Sequence, residues 1–421
     1  MDIMVIGGGG REHAIIRALK KSPLVSKIYA LPGNGGISLD AECVPVKATD
    51  LDGIVEFTKT HKIDFAAVIP DDPLALGLCD RLRAMGIPCF GPSAAAAKIE
   101  SSKAFAKDLM KSYGIPTAKY EVFTDEAEAV NYIKTQKMPI VIKADGLALG
   151  KGVIIAETQD EAIEAIDQMM SKKKFGASGT KIVIEEFLTG TEVSVLTFTD
   201  GKTVVQMPAS MDHKRALDGD KGLNTGGMGA IAPNPYYTDE AAAETMKKII
   251  IPTIEAMKKE DRKFKGCLYF GLMLTDDGPK VIEYNCRFGD PETQVVLPLL
   301  ESDLMKIMLA VENETLSECE VKFSGLSCCC VVLASGGYPV AYEKGKLMDI
   351  PESENIEIFH AGTKLTDGRF YTAGGRVLGV TAVRENLEEA IKAAYAAAEK
   401  ISFDGVYMRH DIGKRALAYK K

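Results

Sequence analysis

Between Glu283 and Gln294 the chain reads Glu-Tyr-Asn-Cys-Arg-Phe-Gly-Asp-Pro-Glu-Thr-Gln, more polar side chains than a plain buried strand carries. Burying such groups unpaired costs about 1–3 kcal/mol each, so they need partners or a task. Side chains alternate along a strand, which puts Glu283, Asn285 and Arg287 on one face. A carboxylate and an amide oxygen are hard ligands of the kind magnesium prefers. Arg287 is spaced to neutralise a phosphoryl group in transfer. Asp290 follows in a Gly-Asp-Pro turn, where its carboxylate can fix a substrate amine. These types together suit activation of a carboxylate as an acyl phosphate and its capture by an amine.

Other segments suit phosphate and nucleotide. Gly146-Leu-Ala-Leu-Gly150-Lys151-Gly152 resembles a phosphate-binding loop but departs from it, since Gly152 sits where Ser or Thr should hold magnesium. It reads as a glycine-rich flap between two strands, or as an ordinary flexible turn; as a flap its N–H groups can meet triphosphate oxygens. Lys143 is spaced to reach an α- or β-phosphate as a point charge. Val183 to Leu188, followed by Glu192, reads as a strand running into an extended linker. Such a linker offers backbone contacts to adenine and a carboxylate to ribose; the alternative is a strand edged with solvated glutamates. Gly7 to Gly10 is a glycine turn feeding a helix start, suited to phosphate or sugar phosphate with Arg11 and Glu12. Dinucleotide binding fits it poorly, because the third glycine of the fingerprint falls at Glu12. A purely structural tight turn remains the other reading.

The elements that must position these residues follow from periodicity. Strands at 2–6, 27–31 and 65–69 alternate with helices at 11–22, 51–61 and 73–85, which predicts a parallel α/β unit. A helix over 103–113 leads into Gly114-Ile115-Pro116, a hinge-like break. Strands at 138–143 and 152–157 predict a hairpin, followed by a helix over 160–171 and a strand at 181–185. Antiparallel strands at 192–198 and 203–208 precede a polar, glycine-rich loop over 212–229 and a helix over 238–259. Strands at 266–274 and 280–284 come next. A closing module holds strands at 327–334 and 375–382 and a helix over 387–401. Of the histidines, His213 lies in the loop that faces the site; His13, His61, His360 and His410 read as surface or capping residues.

At 421 residues, 46% hydrophobic and 26% charged, the chain suits a multidomain globular protein. A formal net charge of −8 argues against a broad grip on nucleic acid or an anionic membrane, and no apolar run is long enough to span a bilayer. Nine cysteines lack metal-site spacing, and Cys328, Cys329 and Cys330 alternate faces on a strand, which predicts buried thiols in a reducing, cytoplasmic setting.

These motifs resemble the ATP-grasp superfamily and, within it, the phosphoribosylamine–glycine ligase (glycinamide ribonucleotide synthetase) family of purine biosynthesis. The run from Arg287 to Gln294 is similar to that family's signature. Further likeness lies in Gly8 to His13, in Asp212 to Arg215 with Asn224 to Gly229, and in Thr372 to Val377. The resemblance implies a mixed α/β and α+β multidomain fold: an N-terminal preATP-grasp parallel α/β domain over 1–102, an ATP-grasp core with a mobile lid, and a small C-terminal domain. The core would cover 103–325, with the lid at about 120–190, and the last domain 326–421.

It further implies that Lys103, Lys143, Gly150, Lys151 and Gly152 serve ATP phosphates, Glu185, Glu186 and Leu188 the adenine, and Glu192 the ribose. Glu283 and Asn285 would bind Mg2+ or Mn2+, and Arg287, Lys143 and Asp290 would act in catalysis. Arg11, Glu12, Asp71, Asp212, Asp290, Gly375 and Arg376 would bind the phosphoribosyl substrate. Asp71 stands where the family usually has glutamate, so a shorter carboxylate would have to reach the ribose, and Leu223 replaces the usual proline. The expected reaction joins glycine to 5-phosphoribosylamine through glycyl phosphate. The alternatives are an ATP-grasp carboxylate–amine ligase with another substrate pair, or a non-catalytic nucleotide-binding subunit. The expected partners are small molecules only (glycine, 5-phosphoribosylamine and ATP), in a monomer or, alternatively, a dimer. An end at Lys421 is expected of an enzyme without a fused downstream module.

Overall fold

The apolar run Ile3 to Ile6 has no polar side to turn to water, and it lies at the centre of a sheet covered on both faces. The computed structural model describes residues 1–147, 152–172, 174 and 176–419. The first sheet is parallel, in the order β3-β2-β1-β4-β5, with β1 Asp2–Gly7, β2 Lys27–Pro32, β3 Glu42–Cys43, β4 Phe65–Val68 and β5 Cys89–Phe90. Met4 and Ile6 enter one core with Leu31 and Ile54. Ile3 and Val5 enter another that continues into Leu196 and Leu304. Helices α1 (Gly10–Lys20) and α2 (Leu51–Thr60) lie where expected, α2 capped by Asp50 through Gly53 N–H. The helix expected over 73–85 is instead two, α3 (Asp71–Ala75) and α4 (Leu78–Ala84). Gly77 between them takes φ +83°, a left-handed conformation that ends the first turn and restarts the second. Helices α5 (Ala94–Ser101) and α6 (Lys103–Ser112) then carry the chain towards the cavity.

Residues 120–186 build a second sheet, in the order β6-β9-β7-β8, from β6 Tyr120–Phe123, β7 Ile140–Ala144, β8 Val153–Ala156 and β9 Ile182–Glu186. The predicted hairpin is present, with Ile140 opposite Ala156 and Lys143 opposite Val153. Helices α7 (Glu126–Ile133) and α8 (Gln159–Met170) cover it, and Ile133, Ile142, Ile166 and Ile184 share a core of its own.

A third, antiparallel sheet joins β10 (Thr191–Thr199) and β11 (Val204–Gln206) to two later strands. The segment expected as a loop over 212–229 is largely ordered as β12 (Met211–Asp212), the hairpin β13 (Arg215–Leu217) and β14 (Lys221–Asn224), and the start of β15 (Gly229–Ala232). Its polar composition hides this because the hairpin is held by charge: Arg409 pairs with Asp220 at 3.0 Å and donates to Arg215 O at 3.1 Å. The helix expected over 238–259 holds, but with a π-turn at Met246–Ile250, just before Pro252 enters where an N–H is dispensable. Strands β16 (Gly266–Thr275) and β17 (Gly278–Asn285) complete the third sheet.

The last sheet is built around β18 (Ser327–Ser335), with β19 (Ile356–His360), β22 (Arg376–Arg384) and β23 (Val406–Tyr407); β20 (Thr363–Thr366) and β21 (Arg369–Thr372) pair separately. It also takes in β12 and β15, so this sheet spans both sides of the expected boundary at 325. Cys328 and Cys330 face one core and Cys329 the other, as a strand dictates. His13 and His360, expected as surface or capping residues, are buried. The His360 N–H donates to His13 Nδ1 at 2.8 Å, tying the first helix to the last sheet. Among the described residues, no helix is long and apolar enough to cross a membrane.

Candidate active site

A cavity of about 750 Å3 opens where the second sheet, the third sheet and the polar hairpin meet. Strand β17 brings Glu283 and Asn285 into its wall two residues apart. Glu283 lies opposite Gly271 on β16, where a Cβ would stand 3.0 Å from Glu283 Cγ, so the glycine leaves this carboxylate its room. Burial tends to raise the Glu283 carboxyl, but Lys214, Lys143, Lys103 and Arg287 outweigh it and lower its pKa, keeping it charged. Arg287 donates to Asn285 Oδ1 at 3.1 Å and pairs with Glu100 Oε1 at 3.0 Å. The other Glu100 oxygen accepts the Cys286 N–H at 2.8 Å. Burial opposes the Arg287 charge, yet Glu100 and Asp71 prevail and raise its pKa, fixing a cation at the cavity wall.

At the cavity's other end Lys143 Nζ lies 3.0 Å from Glu185 Oε1 and donates to Ile282 O at 3.0 Å. Lys107 Nζ meets the second Glu185 oxygen at 2.8 Å. Lys103 donates to Gly146 O at 2.8 Å, and burial lowers its pKa. Glu186 accepts the Lys119 N–H, and Phe187, Leu188 and Glu192 continue the wall beyond β9.

The third part of the wall is a tight charge cluster. Asp290 accepts from Arg376 at 2.8 Å and from Gln294 at 2.7 Å, and Arg376 also donates to the carbonyls of Gly226 and Asp290. Burial pulls the Asp290 carboxyl up, but Arg376 and Arg11 reverse this and leave its pKa below the ordinary value. Lys214 pairs with Glu192 and stands 3.7 Å from Glu283. Burial, reinforced by the neighbouring Glu292, holds the Asp212 carboxyl well above its usual range.

Most residues singled out from sequence line this one cavity: Arg11, Asp71, Lys103, Lys143, Gly152, Glu185, Glu186, Leu188, Glu192, Asp212, Glu283, Asn285, Arg287, Asp290 and Arg376. Two do not. Glu12 is buried as the capping partner of α1: its carboxylate accepts the Gly9 N–H and the Arg11 guanidinium, both at 2.7 Å. Gly375 lies behind Tyr338, where an added Cβ would be 2.2 Å from the ring, so its role there is steric. Gly150 and Lys151 lie outside the described residues. His213 is buried with both nitrogens engaged, Nδ1 with Gly229 O and Nε2 accepting from Gly413 N–H, and burial lowers its pKa to about 4. It braces the hairpin segment against the C-terminal segment. Glu100, Lys107, Lys214, Tyr269 and Glu292 complete the wall without having been singled out as site residues. Of these, Lys214 and Glu292 stood inside the family-like motifs, and Lys107 left the signal of lying one helical turn beyond Lys103.

The donor set at Glu283 and Asn285 suits a hard divalent cation. Both ligands are oxygens, and the Asn285 amide oxygen keeps a second lone pair beyond the one that Arg287 uses. Among the described residues no cluster of three or more His, Cys, Asp or Glu forms a metal cage, so such an ion would be completed by phosphate oxygens or water.

Residues 1–100, 101–293 and 328–415 match the N, ATP-grasp (A) and C domains of phosphoribosylglycinamide synthetase. The chain is 48% identical over 420 residues to a phosphoribosylamine–glycine ligase of Halalkalibacterium halodurans, covering 99% of this chain and 98% of that one. It superposes with a TM-score of 0.88 and 36% identity on the crystal structure of phosphoribosylamine–glycine ligase from Thermotoga maritima, covering 98% and 100% of the two chains. The fold is also that of the biotin carboxylase domain of Hydrogenobacter thermophilus 2-oxoglutarate carboxylase, solved with MgADP, at 17% identity, TM-score 0.74, and 97% and 91% coverage.

Proposed function

The chain belongs to the phosphoribosylglycinamide synthetase family, and on that footing we propose that it joins glycine to 5-phosphoribosylamine at the expense of ATP. The products are glycinamide ribonucleotide, ADP and phosphate, in purine biosynthesis and in a cytoplasmic setting. The observation that carries the reading is the convergence of Glu283, Asn285, Arg287, Lys143 and Asp290 on one cavity. A glycine carboxylate oxygen attacks the γ-phosphorus of ATP and the bond to ADP breaks, giving glycyl phosphate. The amine of phosphoribosylamine then attacks the acyl carbon, phosphate leaves, and the amine proton is lost.

Phosphoryl transfer asks a protein mainly for positioning and charge neutralisation. Lys103, Lys143 and Gly152 hold the phosphates, Glu185, Glu186 and Leu188 flank the adenine, and Glu192 accepts from the ribose. Arg287, pinned by Glu100, faces the phosphoryl group in flight. Arg11, Asp71, Asp212, Asp290 and Arg376 form the acceptor end. Glu283 and Asn285 would hold Mg2+ or Mn2+, which when bound neutralises phosphate charge. The test is ADP formation by the purified chain: it should require glycine and 5-phosphoribosylamine together. ADP release with either one omitted would point to another substrate pair.

A further inference from the structure

Glu185 sits between two lysines, with one carboxylate oxygen on Lys143 at 3.0 Å and the other on Lys107 at 2.8 Å. All three side chains are at most 5% exposed. One carboxylate cannot neutralise two ammonium groups, so the triad carries an excess positive charge out of water, an arrangement that an anion completes. The two lysines are not equivalent. Lys143 is on β7, in the lid sheet, and its other contact is the Ile282 carbonyl beside Glu283. Lys107 is on α6, donates to Thr117 Oγ1 at 2.8 Å, and lies 5.7 Å from the centre of the Tyr120 ring. Thr117 in turn donates to Val281 O at 2.7 Å, so Lys107 is anchored to the frame independently of Glu185.

We infer that Lys107 is a positioning residue for the nucleotide: it shares the Glu185 carboxylate with Lys143 and so loosens the hold of that carboxylate on Lys143, which can then turn to the phosphates. This rests on the reading above, in which Lys143 meets phosphate and Glu185 flanks the adenine. Without Lys107, Glu185 would have only Lys143 to pair with. Phosphate would then have to compete with a buried carboxylate for its cation, and binding would suffer where the ligand carries phosphate. The groups facing Lys107 are Glu185 and Glu186 on β9, Lys143 on β7 and the Tyr120 ring on β6. Burial, opposed by Glu185 and aided by Lys143, brings the Lys107 pKa down to about 8. The brace is therefore charged at neutral pH and loses its charge in mildly alkaline solution.

The test is calorimetric binding of adenosine and of ADP with Mg2+ to the full chain, without glycine, from pH 7 to pH 9. Lys107→Met should weaken ADP binding about tenfold, some 1.4 kcal/mol, while leaving adenosine within about twofold. Lys107→Arg keeps a permanent cation, so it should retain ADP affinity and remove the decline expected of the parent chain as pH rises through about 8. Lys103 is the same in both chains, so that difference belongs to Lys107. Equal weakening of adenosine and ADP in Lys107→Met, or an unchanged alkaline decline in Lys107→Arg, would overturn the inference. A parent chain that binds no ADP would overturn the underlying reading and the inference with it, whereas a parent that binds ADP beside an indifferent Lys107→Met overturns the inference alone.

Discussion

Arg287 does two jobs that one pair of variants can separate. Its guanidinium neutralises Glu100, whose side chain is 7% exposed, and it presents positive charge to the cavity. Arg287→Met should therefore fail in both respects. Losing one preorganised charge contact at a transferring group costs about 3–4 kcal/mol, or about a hundred- to a thousand-fold in kcat. Leaving Glu100 buried without its cation costs about 3–5 kcal/mol of stability. The second loss can be reversed independently, because Glu100→Gln in the same chain removes the stranded charge while its amide oxygen still accepts the Cys286 N–H. The double variant should recover most of the urea and thermal stability lost by Arg287→Met and none of the rate. The assays are ADP release with both substrates present, and equilibrium unfolding. A kcat within about threefold of the parent for Arg287→Met would refute the placement of this charge at the reaction. Recovery of rate in the double variant would show that the single variant had failed only by misfolding.

Acidification gives a second expectation. His213 has its pKa lowered by burial from 6.5 to about 4, so the folded chain binds its proton less readily than the unfolded chain does. Its contribution to stability is complete above pH 6.5 and is lost as pH falls towards 4. Unfolding monitored across that window should decline at up to about 1.4 kcal/mol per pH unit from this one group. A His213→Asn chain with the same pH slope would exclude the residue as a source. Metal dependence gives a third. Chelation should stop ADP formation, and Glu283→Gln, which keeps an oxygen but removes a charge, should raise the Mg2+ needed for half-maximal rate by more than the roughly tenfold that loss of an outer partner costs. An unaltered metal requirement in that variant would place the ion elsewhere.

Local pattern alone determined a good deal here. The period-two alternation of β17 puts Glu283 and Asn285 on one face whatever surrounds it. The unbroken apolar run of β1 demands burial on both sides, and the apolar segments flanking the glycine-rich turn can only return as a hairpin. These are consequences of bonds and side-chain directions within a few residues. Even at that range one glycine misled: Gly77 lies inside a periodic stretch, and its positive φ divides the helix there. Charge partners were decided at a longer range. Nothing near Glu100 announces Arg287, and nothing near Glu185 announces Lys107. Each pairing exists because the packing of α5 and α6 against the second and third sheets brings a buried carboxylate against a cation from a distant part of the chain. The segment over 212–229 shows the same limit, since its ordering depends on Arg409 and Gly413 from the far end of the chain. Glu12 shows the converse. Its type and position suited a ligand, but the nearest unsatisfied donor was the N-terminus of its own helix, and only the folded geometry reveals that its carboxylate is already spent there.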